Sequence, residues 1–154
     1  QRLSRGLGDV YKRQVLLSPL AFAEKNEMIP LNEYLKDQNR SHPNVLFYVS
    51  ARCSAINYGM SYFTQNEKEF SDRSLKAAEF FTQLAAAVRQ NISPNITLAE
   101  NRKKTVETIT IIIDEYIKVS NDKYAKTGAY FTDWMMDDYE LCSETYNLQM
   151  QTNN

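Results

Sequence analysis

Apolar positions recur at spacings of three and four through most of the chain, the signature of helices that each bury one side. Val45, Val49, Cys53, Ile56, Met60 and Phe63 share one face of a helix predicted from about Pro43 to Phe63. Ser41 is its expected N-cap, and Pro43 suits a first turn, where the missing N–H has no partner to lose. A second stripe on the same helix, Ala51, Ala55 and Gly59, is small enough to let another helix approach closely. Phe70, Ala77, Phe81, Leu84 and Val88 point inward on a second helix, from about Glu67 to Asn91, with Asn66 and Glu69 as a capping box.

Ser93-Pro94-Asn95-Ile96 breaks the pattern. Thr97-Leu98-Ala99-Glu100 then opens a third helix with a second capping box, and Val106, Ile109, Ile113, Tyr116 and Ile117 form its expected core stripe. The β-branched run Thr108–Ile113 also suits a strand. The polar residues on both flanks keep helical register, so helix is the reading preferred. A fourth helix is expected from about Tyr124 to Leu148, with Gly128 as either a kink or the junction between helices three and four. Leu31–Gln38 reads as a short extra helix at the N-terminal side.

Glycine and proline punctuate this pattern very little. From residue 24 onward the only glycines are Gly59 and Gly128, and the prolines are Pro30, Pro43 and Pro94. A sandwich or barrel needs turn residues every 8–12 positions or so. The expected fold is therefore all-α: a four-helix up-and-down bundle with one disulfide.

The first residues fit no element of this bundle. Ser4–Gln14, SRGLGDVYKRQ, resembles a translated sequencing-library adapter, so residues 1–14 are expected to be adapter-derived. Val15–Ala23, VLLSPLAFA, then has the apolar run and the A-x-A ending of a secretory signal peptide that has lost its charged start. Nine residues are far short of the roughly 20 that cross a bilayer. Residues 24–154 are left as a single helical domain. Removing Arg2, Arg5, Lys12, Arg13 and Asp9 takes the formal charge from −1 to −4. A mildly acidic domain lacks the basic footprint of a nucleic-acid binder. No segment of the mature chain is apolar enough to span a membrane.

An exported chain with two cysteines is expected to pair them, here Cys53 with Cys142. In an up-and-down bundle the first and fourth long helices are antiparallel neighbours, which brings the two to a similar level. The bridge then sets a register: Met60 opposite Met135, Val49 opposite Tyr146, and Asn57 opposite Asp138. Asp138 shares a stripe with Trp134 and Leu141, and a carboxylate on an apolar face needs a partner. Asn57 is the expected hydrogen-bond donor, with Arg52 also in range. A structural polar pair and a polar spot inside a small pocket are both open.

Other chemistry is sparse. Asp133, Asp137, Glu140 and Glu144 share a helix face, a solvated ladder that could also gather a divalent cation or a basic partner; metal binding there stays open. Arg102, Lys103 and Lys104 read as a solvated basic cluster. Tyr48, Tyr58, Tyr62, Tyr116, Tyr124, Tyr130, Tyr139 and Tyr146 are spread along the helices and suit the rim of a core or a tyrosine-lined groove. The lone His42, beside Pro43, reads as a cap-region surface residue. No metal-spaced His/Cys cluster, P-loop, nucleophile elbow or haem motif is present, so no catalytic residue and no cofactor is expected. The outline resembles cytochrome-like and ferritin-like bundles, but their ligand motifs are missing. The functional expectation is an exported, non-catalytic periplasmic or secreted protein acting on an unknown protein or small-molecule partner. The alternative is a bundle that binds a small ligand or a divalent cation.

Overall fold

The computed structural model describes residues 28–152. The expectations for residues 1–14 and 15–23 lie outside the described residues. Five α-helices account for the fold: α1 (Leu31–Tyr34), α2 (Pro43–Phe63), α3 (Lys68–Ile92), α4 (Leu98–Thr127) and α5 (Asp133–Thr152). A 3-10 turn, Leu35–Asp37, extends α1, and no strand occurs among the described residues. The run Thr108–Ile113 is helical, inside α4.

The helix ends follow local chemistry. His42 caps α2 in place of Ser41: its backbone is extended, and its ring Nδ1 accepts from the Asn44 N–H at 3.2 Å. Ser41 instead donates its N–H to Asn39 Oδ1 at 3.1 Å. The Asn66–Glu69 box does not cap α3, because the chain turns one residue later; Glu67 is the N-cap and makes no side-chain cap bond. Thr97 caps α4 as expected, accepting from the Glu100 N–H at 3.2 Å. Gly128 closes α4 with a left-handed backbone (φ 74°), and its N–H donates to Tyr124 O at 2.8 Å. Such a φ suits glycine, which has no Cβ to clash. Gly128 is therefore the junction, and the third and fourth predicted helices are separate.

Helix α2 is the centre of the molecule. Every residue from Ser50 to Asn57 is buried, so the helix is enclosed on several sides rather than along one stripe. A helix without a polar face belongs in a core. Its tightest neighbour is α3, which turns small side chains inward: Ser74, Ala77, Ala78 and Ala85, with Phe81. Ser54 Oγ and Thr82 Oγ1 meet at 2.8 Å, and Ser61 Oγ and Ser71 Oγ at 3.0 Å across the pair. Leu84, expected inside, is 39% exposed.

Helix α4 is rotated from its expected stripe. Asn101, Thr105, Ile109, Ile112, Tyr116 and Ser120 are buried, whereas Val106 is 53% exposed. The rotation places polar residues inside, and each makes at least one hydrogen bond, although Asn101 Oδ1 is left buried without a partner. Asn101 Nδ2 donates to Gln90 Oε1 at 2.8 Å and to Ser93 O at 3.1 Å, tying down the α3–α4 connection. Thr105 Oγ1 donates to Asn101 O at 2.8 Å. Helix α5 buries only Met135, Asp138 and Cys142. The disulfide Cys53–Cys142 (Cα–Cα 5.3 Å) and the Phe63–Phe131 ring contact (5.5 Å) hold α5 antiparallel to α2.

Candidate functional site

The most concentrated polar chemistry inside the protein is at Asp138. The residue is on the inward face of α5, one turn before the disulfide cysteine Cys142, and is buried. Its Oδ2 is paired with the guanidinium of Arg52 from α2 and accepts from the Tyr116 hydroxyl of α4 at 2.8 Å. Its Oδ1 accepts from the backbone N–H of Leu31, the first residue of α1, at 2.6 Å. One carboxylate thus joins four helices.

Arg52 is equally well satisfied. Its Nε donates to the Tyr116 hydroxyl at 3.0 Å, and its Nη1 to Ile29 O at 2.7 Å and to the Tyr48 hydroxyl at 3.3 Å. Its guanidinium carbon is 5.5 Å from the Tyr116 ring centre, 5.8 Å from that of Tyr48 and 5.9 Å from that of Trp134. Trp134 stacks on Tyr116 at 5.8 Å. The charge is therefore enclosed by aromatic faces, which attract a cation.

Burial alone would push the Arg52 guanidinium down. The interactions with Tyr116, Asp138 and Tyr48 outweigh it and hold the group above its ordinary value. The Tyr116 phenol goes well above its ordinary value, first because it is buried, against the pull of Arg52 and with the push of Asp138. A buried ion pair is tolerated only where the remaining donors and lone pairs are filled, as they are here.

Asn57 is not the partner of Asp138, contrary to the register expected from the disulfide. Its Nδ2 turns back onto its own helix and donates to Cys53 O at 2.8 Å, leaving Oδ1 buried without a partner. A short amide held within its own turn cannot cross the gap, whereas a guanidinium on a long stem can. Tyr146 packs on Phe80 of α3 at 5.5 Å.

The other expected residues lie apart from this site. Asp133, Asp137, Glu140 and Glu144 are all exposed on α5. Among the described residues, no three His, Cys, Asp or Glu side chains converge on a metal position. Lys104 reaches Glu100 at 3.7 Å on α4, and Arg102 and Lys103 are exposed. Two surface depressions occur elsewhere. One, of ≈ 440 Å³, lies at the start of α3 against Glu67, Phe70 and Arg73. The other, of ≈ 230 Å³, lies between Tyr58, Thr82, Val106 and Ile113. Neither is lined by Arg52 or Asp138.

A cluster of aromatic rings gathers where the C-terminal end of α2 meets the end of α4 and the α4–α5 connection. Phe63 touches Tyr62, Tyr130 and Phe131 at ring distances of 5.3, 4.8 and 5.5 Å, and Tyr124 stacks on Tyr130 at 4.3 Å. Tyr62 is 64% exposed.

Sequence reasoning named Arg52 and Asp138 but missed Tyr116 as their bridge and the backbone of Ile29 and Leu31 as their third partner. The Tyr116 hydroxyl was findable, because a tyrosine on a core stripe needs a polar partner. Backbone groups leave no mark in a sequence. Comparison with protein-family models, curated proteins and solved structures finds no match. Among the described residues, no helix is long and apolar enough to cross a membrane.

Proposed function

We propose that this chain is an exported, non-catalytic protein of the periplasm or the extracellular space, which works as an interaction or accessory protein through its surface. Its frame is a four-helix up-and-down bundle, α2 to α5. Short connections between consecutive long helices and the antiparallel α2/α5 pair support that frame. The disulfide supports export, since such bonds persist in oxidising compartments.

The observation that carries the interaction reading is the exposed aromatic cluster of Tyr62, Tyr124 and Tyr130 around Phe63. Aromatic side chains with an apolar body and a wet hydroxyl are enriched where proteins meet partners. The inner polar site argues the same way, because Asp138 and Arg52 are occupied by the chain's own groups. The ligand- or cation-binding alternative draws on the exposed carboxylates of α5.

The test is to restore the missing start of the signal peptide in front of Val15, express the chain in a Gram-negative host and weigh the periplasmic product. The expected mass begins at Glu24, with two cysteines alkylated only after reduction. A cytosolic product with free thiols would overturn the export reading. Tyr62→Ser with Tyr124→Ser and Tyr130→Ser should abolish whatever envelope partner the wild-type chain retains. A melting temperature raised by calcium or by a small molecule, with no partner retained, would favour the alternative.

A further inference from the structure

We infer that Tyr124 and Tyr130 are a site of oxidative modification, at which the two rings couple into a dityrosine link when a one-electron oxidant of the peroxidase class acts with hydrogen peroxide. One residue is in the last turn of α4 and the other just past its end. Gly128 between them takes the left-handed backbone that turns the chain back, and so lays the second ring on the first. The ring centres are 4.3 Å apart, and the planes are within 11° of parallel. Carbon atoms of the two faces are then in van der Waals contact, about 3.5–4.0 Å apart. The Tyr130 phenol is pushed above its ordinary value, first by loss of water contact and then by the Tyr124 phenol, with which it hydrogen-bonds. The two hydroxyls are thus at the same end of the stack, and the ortho carbons beside them are brought together as well.

The oxidant takes one electron from each phenol, and each phenol gives up its hydroxyl proton, leaving two phenoxyl radicals. Part of the unpaired density is at the ortho carbons, in π orbitals perpendicular to the ring, so a new carbon–carbon bond forms along the normal that joins stacked faces. The two ortho hydrogens then move to the oxygens as protons, and both phenols are restored. The balance is two phenols and one hydrogen peroxide giving one linked pair and two waters. Holding the reacting atoms face to face replaces a chance collision. Both rings are open to an oxidant, at 47% and 38% exposure. Two other ring pairs each lack one of these features. Tyr34 and Tyr48 meet at 4.7 Å but are tilted by 58°. Tyr116 stacks on Trp134 but is buried. The coupling requires neither export nor a partner, although it consumes two of the tyrosines proposed to meet one.

The test treats the full chain with a peroxidase and limiting hydrogen peroxide, then reduces the disulfide and digests with trypsin. Cleavage after Lys123 and Lys126 separates residues 124–126 from residues 127–154 in the untreated chain. After treatment the two peptides are expected to be joined, two hydrogens lighter than their sum, with the fluorescence of dityrosine. Their joined yield should exceed that of the peptides holding Tyr34 and Tyr48 by about tenfold or more. Tyr124→Phe and Tyr130→Phe should each abolish the link, while Tyr62→Phe should leave it. Circular dichroism of each variant checks that the helices are intact. The peptide 127–154 also holds Tyr139 and Tyr146, so a link that survives Tyr130→Phe would overturn the assignment. So would links formed only between chains, or an oxidised chain with no link.

Discussion

Two residues carry opposite charges into the core, and their value lies in completeness. The Asp138 carboxylate has a guanidinium, a phenol and a backbone N–H around it, and Arg52 has a carboxylate, two phenols and a backbone carbonyl. Removing one partner leaves the other charge buried and unpaired, which costs about 3–5 kcal/mol. Asp138→Asn should therefore lower stability by that amount in urea unfolding, while Asp137→Asn, one residue away but exposed, should change it little. Equal effects would mean that Asp138 is solvated in solution. The same site gives an alkaline signature. Tyr116 in the folded protein holds its proton well above pH 10.0, the ordinary phenol value that the unfolded chain keeps. A raised pKa contributes stability that is fully present below the unfolded value and is lost as pH rises toward the folded one. Wild-type stability should thus fall above about pH 10, by up to about 1.4 kcal/mol per pH unit from this group. Tyr116→Phe should remove that part of the slope; parallel curves for the two proteins between pH 9 and 11 would refute it.

Among the elements, the two glycines of the described region behave oppositely because one is in a helix and the other ends one. Gly59 is inside α2, and a Cβ built there meets nothing within 4 Å. Gly59→Ala should raise stability by about 0.5–1 kcal/mol, the usual penalty of glycine in a helix interior. Gly128, with φ 74°, offers equal space but the wrong backbone, so Gly128→Ala should lower stability by about 1–2 kcal/mol. Thermal melts of the pair check the contrast, and a rise for both would mean that α4 does not end in a left-handed residue. These elements were legible because they rest on local chemistry: the Thr97 cap, the Pro43 start and the periodicity of α2 and α3 need no knowledge of the rest of the chain. The rotation of α4 was not legible. Val106 looks like core and Asn101 like surface until the α3–α4 connection supplies Asn101 with its partners. Asp138 was legible as a carboxylate in need with Arg52 in range; what was not legible was that Asn57 turns back onto Cys53 O and that the Tyr116 hydroxyl and the Leu31 N–H complete the set.

At the scale of the molecule, the question is what keeps α5 in place. It buries only three residues, far fewer than α2, and two of them are the Asp138 of the ion pair and the Cys142 of the disulfide. The covalent link spans 89 residues of sequence and closes a loop through the second half of α2, all of α3 and α4, and the first half of α5. In the chain-entropy account such a loop contributes about 4–5 kcal/mol. The loss should not be spread evenly. Helices α2 and α3 are joined by small side chains along a close seam and by the Ser54–Thr82 and Ser61–Ser71 contacts, none of which involves a cysteine. Apart from Met135, the apolar side chains of α5 (Trp134, Met136, Tyr139, Leu141 and Tyr146) are only partly buried against the core, so opening should begin there and be subglobal. Hydrogen exchange of the double variant Cys53→Ala/Cys142→Ala should show α5 amides losing protection well before those of α2 and α3. The Leu31 N–H should follow α5, because its acceptor Asp138 leaves with that helix. Uniform loss across all the helices would mean instead that the staple acts only on the unfolded chain, and that α5 is as firmly packed as the helices it covers.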